Sequence, residues 1–233
     1  MIKEDINKLL FVDIETVGVS KDIPTLSTEN PSLYKVWDST GIDYFKRRYP
    51  EDIDLSGDEL FIKRASLIPE FGKIICVSVG FILPSNEIKL DTFTGSEKEI
   101  LTNLSTLLNR VDKLDFILCG HNIKNFDLPY IGKRMLINGI KVPNIIPSYK
   151  IKPWESRVLD TKEVWNFNSF KGLSSLELVC SCLNIDNPKD SEVNGSNMHN
   201  YYYTINNIEK IKNYCEEDIK STIKMIKKIS TCS

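Results

Sequence analysis

The sequence predicts a single α/β domain over residues 1–233, with a central sheet covered by helices on both faces. Three observations predict it. Leu9 to Ile14 is a short apolar run with β-favouring residues, read as a buried strand. Lys73 to Leu83 (KIICVSVGFIL) is a second run of this kind. Two amphipathic helical patterns accompany them, one opened by Ser96 and one running from about Asn206 to Ile229. No internal repeat, low-complexity tract or domain boundary interrupts the chain.

Taken in order, the first strand alternates, so Phe11, Asp13 and Glu15 share one face and Leu10, Val12 and Ile14 the other. Residues 18–72 form a long, charged connection, either functional or partly disordered at that length. Two stretches inside it read as helices: Pro31 to Arg48, capped by Asn30, and Asp58 to Ala65. The strand from Lys73 pairs with Glu87 to Phe93 through a turn at Pro84-Ser85-Asn86. Ser96 and Glu99 make a capping box for a helix presenting Ile100, Leu101, Leu104, Leu107, Leu108 and Val111. Asp115 to Cys119 is a strand, Asp127 to Asn138 a helix, and Gly139 its C-terminal cap. Residues 141–157 are irregular, and Val158-Leu159 is a short strand ending at Asp160. Leu173 to Leu183 reads as a helix and Asn184 to Tyr203 as a polar loop. On the last helix Ile208, Ile211, Cys215, Ile219, Ile226 and Ile229 face inward.

Lys and Arg number 30 against 32 Asp and Glu, a net charge of −2, which argues against a general nucleic-acid coating protein but not against a nuclease. The N-terminus has no apolar signal core, and no apolar run reaches membrane-spanning length. The six cysteines lack zinc-site spacing, and Cys180-x-Cys182 has no second pair, so buried, reduced thiols in a cytoplasmic protein are expected.

Three features carry chemistry. Asp13 and Glu15 on one face of a buried strand need a partner, and a divalent cation with its preference for oxygen ligands is one. A strand end fraying into solvent is the other reading. Gly120-His121-Asn122-Ile123-Lys124-Asn125-Phe126-Asp127 leaves a strand and enters a helix, placing Asp127 near the sheet edge or, alternatively, merely at a favourable helix N-terminus. Tyr214 and Asp218 stand four apart and share a helical face, which equally suits a polar flank.

In this order, Asp13-x-Glu15, Asn122-x-x-x-Phe126-Asp127 and Tyr214-x-x-x-Asp218 resemble the three motifs of the DEDD (DnaQ-like) exonuclease superfamily, in its tyrosine-bearing branch. Pro69 to Ile74, Asp127-Leu128-Pro129-Tyr130 with Lys133-Arg134, and Leu159-Asp160-Thr161 further resemble the exonuclease domain of family B DNA polymerases in a stand-alone form. The resemblance runs from about Leu9 to Lys228, weakest over 18–68 and 184–205.

It implies an RNase H-like mixed sheet flanked by helices and two divalent cations, Mg²⁺ or Mn²⁺, clamping the attacking and leaving oxygens of a phosphoryl displacement. Asp13, Glu15 and Asp218 would hold the metal that generates the nucleophile. Asp13 would bridge to a second, held by Asp127 largely through water. Tyr214 would orient the attacking water. Asn122 and Phe126 would contact the terminal nucleotides, with Thr16 beside them. Lys124, Lys133 and Lys171 are candidates for phosphate contacts or simply solvated surface, and His121 for a structural hydrogen bond. The implied activity is 3′–5′ removal of nucleotides from single-stranded DNA, in replication or repair, with any proofreading done beside a polymerase supplied in trans. The alternatives are an exoribonuclease, where the 2′-hydroxyl decides, and a non-catalytic polymerase-accessory module.

Overall fold

The computed structural model describes residues 5–148, 152, 155–167, 169, 174–185 and 192–231. The first strand, β1 (Leu9–Gly18), is longer than its apolar run because Thr16, Val17 and Gly18 continue its pairing with the next strand. A helical insertion comes after it. This insertion comprises α1 (Ile23–Glu29), α2 (Pro31–Val36), a π-turn at Trp37–Gly41, α3 (Ile42–Arg48) and α4 (Gly57–Arg64).

The insertion is not the partly disordered connection that its length allowed. It has its own core of Leu26, Trp37, Phe45, Leu60, Phe61, Ala65 and Phe71. Trp37 anchors it, meeting Phe61 and Phe71 edge-on at 5.0 and 5.1 Å, geometries that the ring quadrupoles favour. Asn30 caps α2 as expected, accepting from Leu33 N, and a capping box at Ser56 and Glu59 opens α4. The predicted Pro31–Arg48 helix is present as one continuous helical run, with the π-turn in its middle. Helix α1 was not expected, because only Leu26 of its seven residues is buried and no periodicity marks it.

The sheet is completed by β2 (Gly72–Ile82), β3 (Ile88–Thr94), β4 (Ile117–Gly120) and β5 (Val158–Asp160), in the order β3-β2-β1-β4-β5. β1–β2 and β2–β3 are antiparallel, β1–β4 and β4–β5 parallel, so the sheet is mixed. Asp115 belongs to the turn before β4 rather than to the strand, with φ of +56°. Between β3 and β4 lies α5 (Glu97–Asp112), with the Ser96–Glu99 capping box in place.

Helix α6 (Asp127–Ile137) follows β4, and Gly139 behind it adopts φ of +69°, the left-handed turn that favours glycine. After β5 come α7 (Thr161–Asn166), α8 (Leu176–Cys182), the short α9 (Met198–Asn200) and the long α10 (Ile208–Ser230). Leu173, the expected start of α8, lies outside the described residues. The polar loop expected over 184–203 is partly a packed segment, since Val193, Met198 and Tyr201 are buried against Val17 and Ile211.

One face of β1 (Leu10, Val12, Ile14) packs on α5 and α6, and the other (Leu9, Phe11) on Ile219, Ile223 and Ile226 of α10. Gly80 of β2 lets α10 sit this close. A Cβ there would fall 2.7 Å from Ile219 Cγ2. Cys76, Cys119, Cys180 and Cys215 are buried thiols outside any disulfide, as expected, but Cys182 is exposed. Among the described residues no helix is long and apolar enough to cross a membrane.

Candidate metal and nucleic-acid site

Strand β1 and helix α10 run in opposite directions across one another, and this sets the site. Along β1 the α10-facing positions pass from Phe11 through Asp13 and Glu15 to Val17. Along α10 the buried face passes from Ile226 and Ile219 to Cys215, Tyr214 and Ile211. Six strand residues and fifteen helical ones both cover about 20 Å, so the two stay in step. Core gives way to acids at the same level on both.

The match is local as well. Cys215 Sγ donates to Asp13 Oδ2 at 3.3 Å, and ligand atoms of Asp13, Glu15 and Cys215 lie within 4.8 Å of one another. A bulge on β2 at this level sets Glu15 opposite Cys76 and Thr16 opposite Ile74. Ile75 and Cys76 thus both join the core under α10, and such bulges add twist where a side chain must be re-aimed.

Asp127 arrives from the other layer. β4 pairs with β1 only as far as Phe11 and ends at Gly120, leaving the edge of β1 open beyond it. The Asp127 carboxylate fills that edge, accepting from Ile14 N at 3.2 Å. Its position depends on the turn before it. Asp160, 1% exposed, accepts from Asn122 N at 2.9 Å, Lys124 N at 3.1 Å and Lys162 N at 2.9 Å. The sequence showed Asp160 as the end of a short strand and as part of the Leu159-Asp160-Thr161 resemblance, with no role assigned to it. Its role as the clamp of residues 120–124 comes from contacts distant in the chain.

His121 is structural, as expected: Nδ1 meets Thr161 Oγ1 at 2.9 Å and Nε2 meets Ser174 O at 2.6 Å.

Electrostatics tie the acids together. Burial, then the charges of Asp218 and Asp127, raises the Asp13 carboxyl well above the usual range. Burial pushes Asp127 up to about 7, opposed by backbone N–H groups of Asp127 and Ile14 and aided by Asp160 and Asp218. The Tyr214 phenol is raised by burial, then by Asp218, Glu15 and Asp13. Asp13, Glu15, Asp127, Tyr214 and Asp218 are therefore one interacting group.

Hard oxygen donors that raise one another's pKa suit a divalent cation, whose charge reverses the repulsion. Cys215, which the sequence marked only as inward-facing, is held protonated by burial and by Asp13, and acts as a donor to that carboxylate.

The expected substrate residues divide. Asn122 and Phe126 line a groove of about 540 Å³ between the insertion and α6. Thr16 Oγ1 donates to Ser66 O at 3.0 Å, a tie between β1 and the insertion rather than an open hydroxyl. Lys124 meets Glu163 at 2.5 Å and Lys133 meets Glu70 at 2.8 Å, so both candidate phosphate contacts already hold acids. Lys171 lies outside the described residues.

Fold and acid cluster together are those of a mixed α/β sheet whose central strand carries its acids to one edge. Residues 67–232 match the family described as predicted 3′–5′ exonucleases related to the exonuclease domain of PolB, and the chain belongs to that family. A comparison with curated proteins gives no match. The family B DNA polymerase from the hyperthermophilic archaeon Pyrobaculum calidifontis is similar in structure, with a TM-score of 0.59 and 14% identity over 95% of this chain. The similar part is 24% of that polymerase. The fold is accordingly RNase H-like.

Proposed function

We propose that this chain is an active, metal-dependent 3′–5′ exonuclease of the tyrosine-bearing DEDD branch, acting on single-stranded DNA. One observation carries the reading: Asp13, Glu15, Asp127, Asp218 and Tyr214, from three distant stretches, fall within one electrostatic group. A non-catalytic relic has no reason to assemble them, since clustered carboxylates destabilise a fold without a cation.

Asp13, Glu15, Asp127 and Asp218 would hold two Mg²⁺ or Mn²⁺ ions, which supply Lewis acidity at the scissile phosphate when bound. Tyr214, kept protonated, orients the attacking water through its hydroxyl instead of acting as a base. Asn122 and Phe126 hold the terminal nucleotides in the groove beside the acids. Asp160 fixes the turn that carries both. Any proofreading would be done in trans for a polymerase.

The test is digestion of 5′-labelled single strands of DNA and of RNA, with Mg²⁺, Mn²⁺ or EDTA. A descending ladder from DNA that needs metal is expected. Cleavage of a circular single strand at the same rate would reject an exonuclease, and preferential digestion of RNA would reassign the substrate. Adding a polymerase with a mismatched primer end tests the partner, by whether extension resumes only when this chain is present.

A further inference from the structure

The family match begins at residue 67, so the helical insertion from α1 to α4 lies outside it and needs its own account. Its α3 forms one wall of the 540 Å³ groove, with Tyr44, Arg48 and Tyr49 facing Asn122, Phe126 and Lys162. A second depression of about 380 Å³ shares Tyr44 and Arg48 and continues onto α3 beside Thr40 and Arg47. Tyr44 is 44% exposed, although it belongs to no core.

The cations differ in state. Lys124, Lys133 and Arg47 are each within ion-pair distance of an acid. Among the described residues no carboxylate lies within that distance of Arg48 or Lys162. Arg48 lies 5.9 Å from the Tyr49 ring centroid, and Lys162 Nζ is 3.4 Å from Asn122 Oδ1. Aromatic faces interleaved with available cations are the pattern that binds single strands, bases stacking while phosphates meet charge.

We propose that the insertion extends the site into a track for the strand upstream of its 3′ end, with a base against the exposed Tyr44 and a phosphate on Arg48. This rests on the exonuclease reading for where the 3′ end sits. The occupant is a single-stranded nucleic acid because the groove opens directly beside Asn122 and Phe126 and its unpaired charges are positive. The insertion thereby makes the enzyme sensitive to substrate length, since longer strands meet more of it.

The experiment uses the full chain and fluorescence anisotropy of 5′-labelled dT3 and dT12 in Ca²⁺, beside their hydrolysis in Mg²⁺. The double variant Tyr44→Ala/Arg48→Ala should bind dT12 about tenfold more weakly. Binding of dT3, which covers less of the track, should fall less, and an unchanged circular dichroism spectrum shows that the fold is intact. On dT12 the loss should appear in KM and leave kcat unaltered. Arg48→Ala alone should reduce the slope of log affinity against log salt by about 0.7, one phosphate's worth on a single strand. Tyr44→Ala should leave that slope alone, and Tyr44→Phe should restore affinity. An rU12 arm separates RNA from DNA as occupant.

Unaltered dT12 and rU12 binding by the double variant would overturn the track, and so would equal losses on dT3 and dT12. If wild type digests DNA while the variant binds dT12 normally, the track falls and the exonuclease reading stands. If wild type digests nothing yet binds dT12 through Tyr44 and Arg48, the exonuclease reading falls and the track stands.

Discussion

Asp52 in the insertion is 1% exposed and meets Lys63 Nζ and Arg64 Nε at 2.6 Å each, while Asp127 at the sheet edge is 4% exposed and meets a backbone N–H and other acids. The hydrogen bonds from Arg64 and Lys63 hold Asp52 below the usual carboxylate range, whereas burial and neighbouring acids lift Asp13 and Asp127 above it. The same residue type, equally hidden from water, thus has opposite electrostatics in two regions of one chain. On the proposed function, that contrast separates a structural acid from a metal-holding one. A structural acid is compensated within the protein, and a metal-holding one is left for something that arrives.

The largest effect should come from breaking each kind in turn. Asp13→Ala should reduce hydrolysis of a single-stranded oligonucleotide to background, because Asp13 is proposed to serve both metals. Asp52→Asn should leave turnover per folded molecule intact and lower the melting temperature. Appreciable turnover by Asp13→Ala would falsify the two-metal assignment.

Next is Tyr214. Phe keeps the ring in the core beneath α9 and loses the hydroxyl, so kcat should fall by about 10²–10⁴-fold, the usual range for such roles, while KM holds. Unchanged kcat would reduce Tyr214 to a packing residue.

Asp160 falls between the two kinds, being a buried acid compensated by backbone N–H groups but adjacent to the site. Asp160→Asn should cost about 10–100-fold in activity or metal affinity, as losses of supporting groups around a metal typically do. A titration of activity against Mg²⁺ reads it, and wild-type behaviour would mean the turn holds without the clamp.

The smallest effect is on stability without metal. A carboxyl whose folded pKa is raised binds more protons folded than unfolded, so stability falls as pH rises. For Asp127 that window runs from the ordinary value of 3.8 to about 7. Asp52 behaves oppositely: its contribution is present above 3.8 and is lost as pH falls through its lowered value. Melting temperature in EDTA should therefore rise as pH is lowered from 8 to 5 and fall again below 4. Asp13→Asn should flatten the first slope and stabilise the metal-free protein at neutral pH by about 1 kcal/mol, roughly 2–4 °C at this size. Mg²⁺ should raise the wild-type value more than the variant's. A less stable metal-free variant, or no Mg²⁺ shift in wild type, would show that these acids do not share a metal.

Residue order alone was enough for the periodic elements, whereas the grouping of their acids was expected only from the resemblance of the three ordered motifs to a known superfamily. Alternation put Asp13 and Glu15 on one face of β1, spacing put Tyr214 and Asp218 on one face of α10, and the capping box at Ser96 opened α5 where expected. Each is a local property, set by the two-residue and 3.6-residue repeats of the backbone. Long-range packing set the rest. Only the early end of β4 gives Asp127 its bond to Ile14, across 113 positions. Only the turn around Asp160 aims Asn122 and Phe126, and only packing about Trp37 turns residues 18–72 into a helical wall with Tyr44 and Arg48 on the groove. Local periodicity is blind to these because their energies depend on which surfaces meet after the chain has closed, and a short helix such as α1 buries too little to announce itself beforehand.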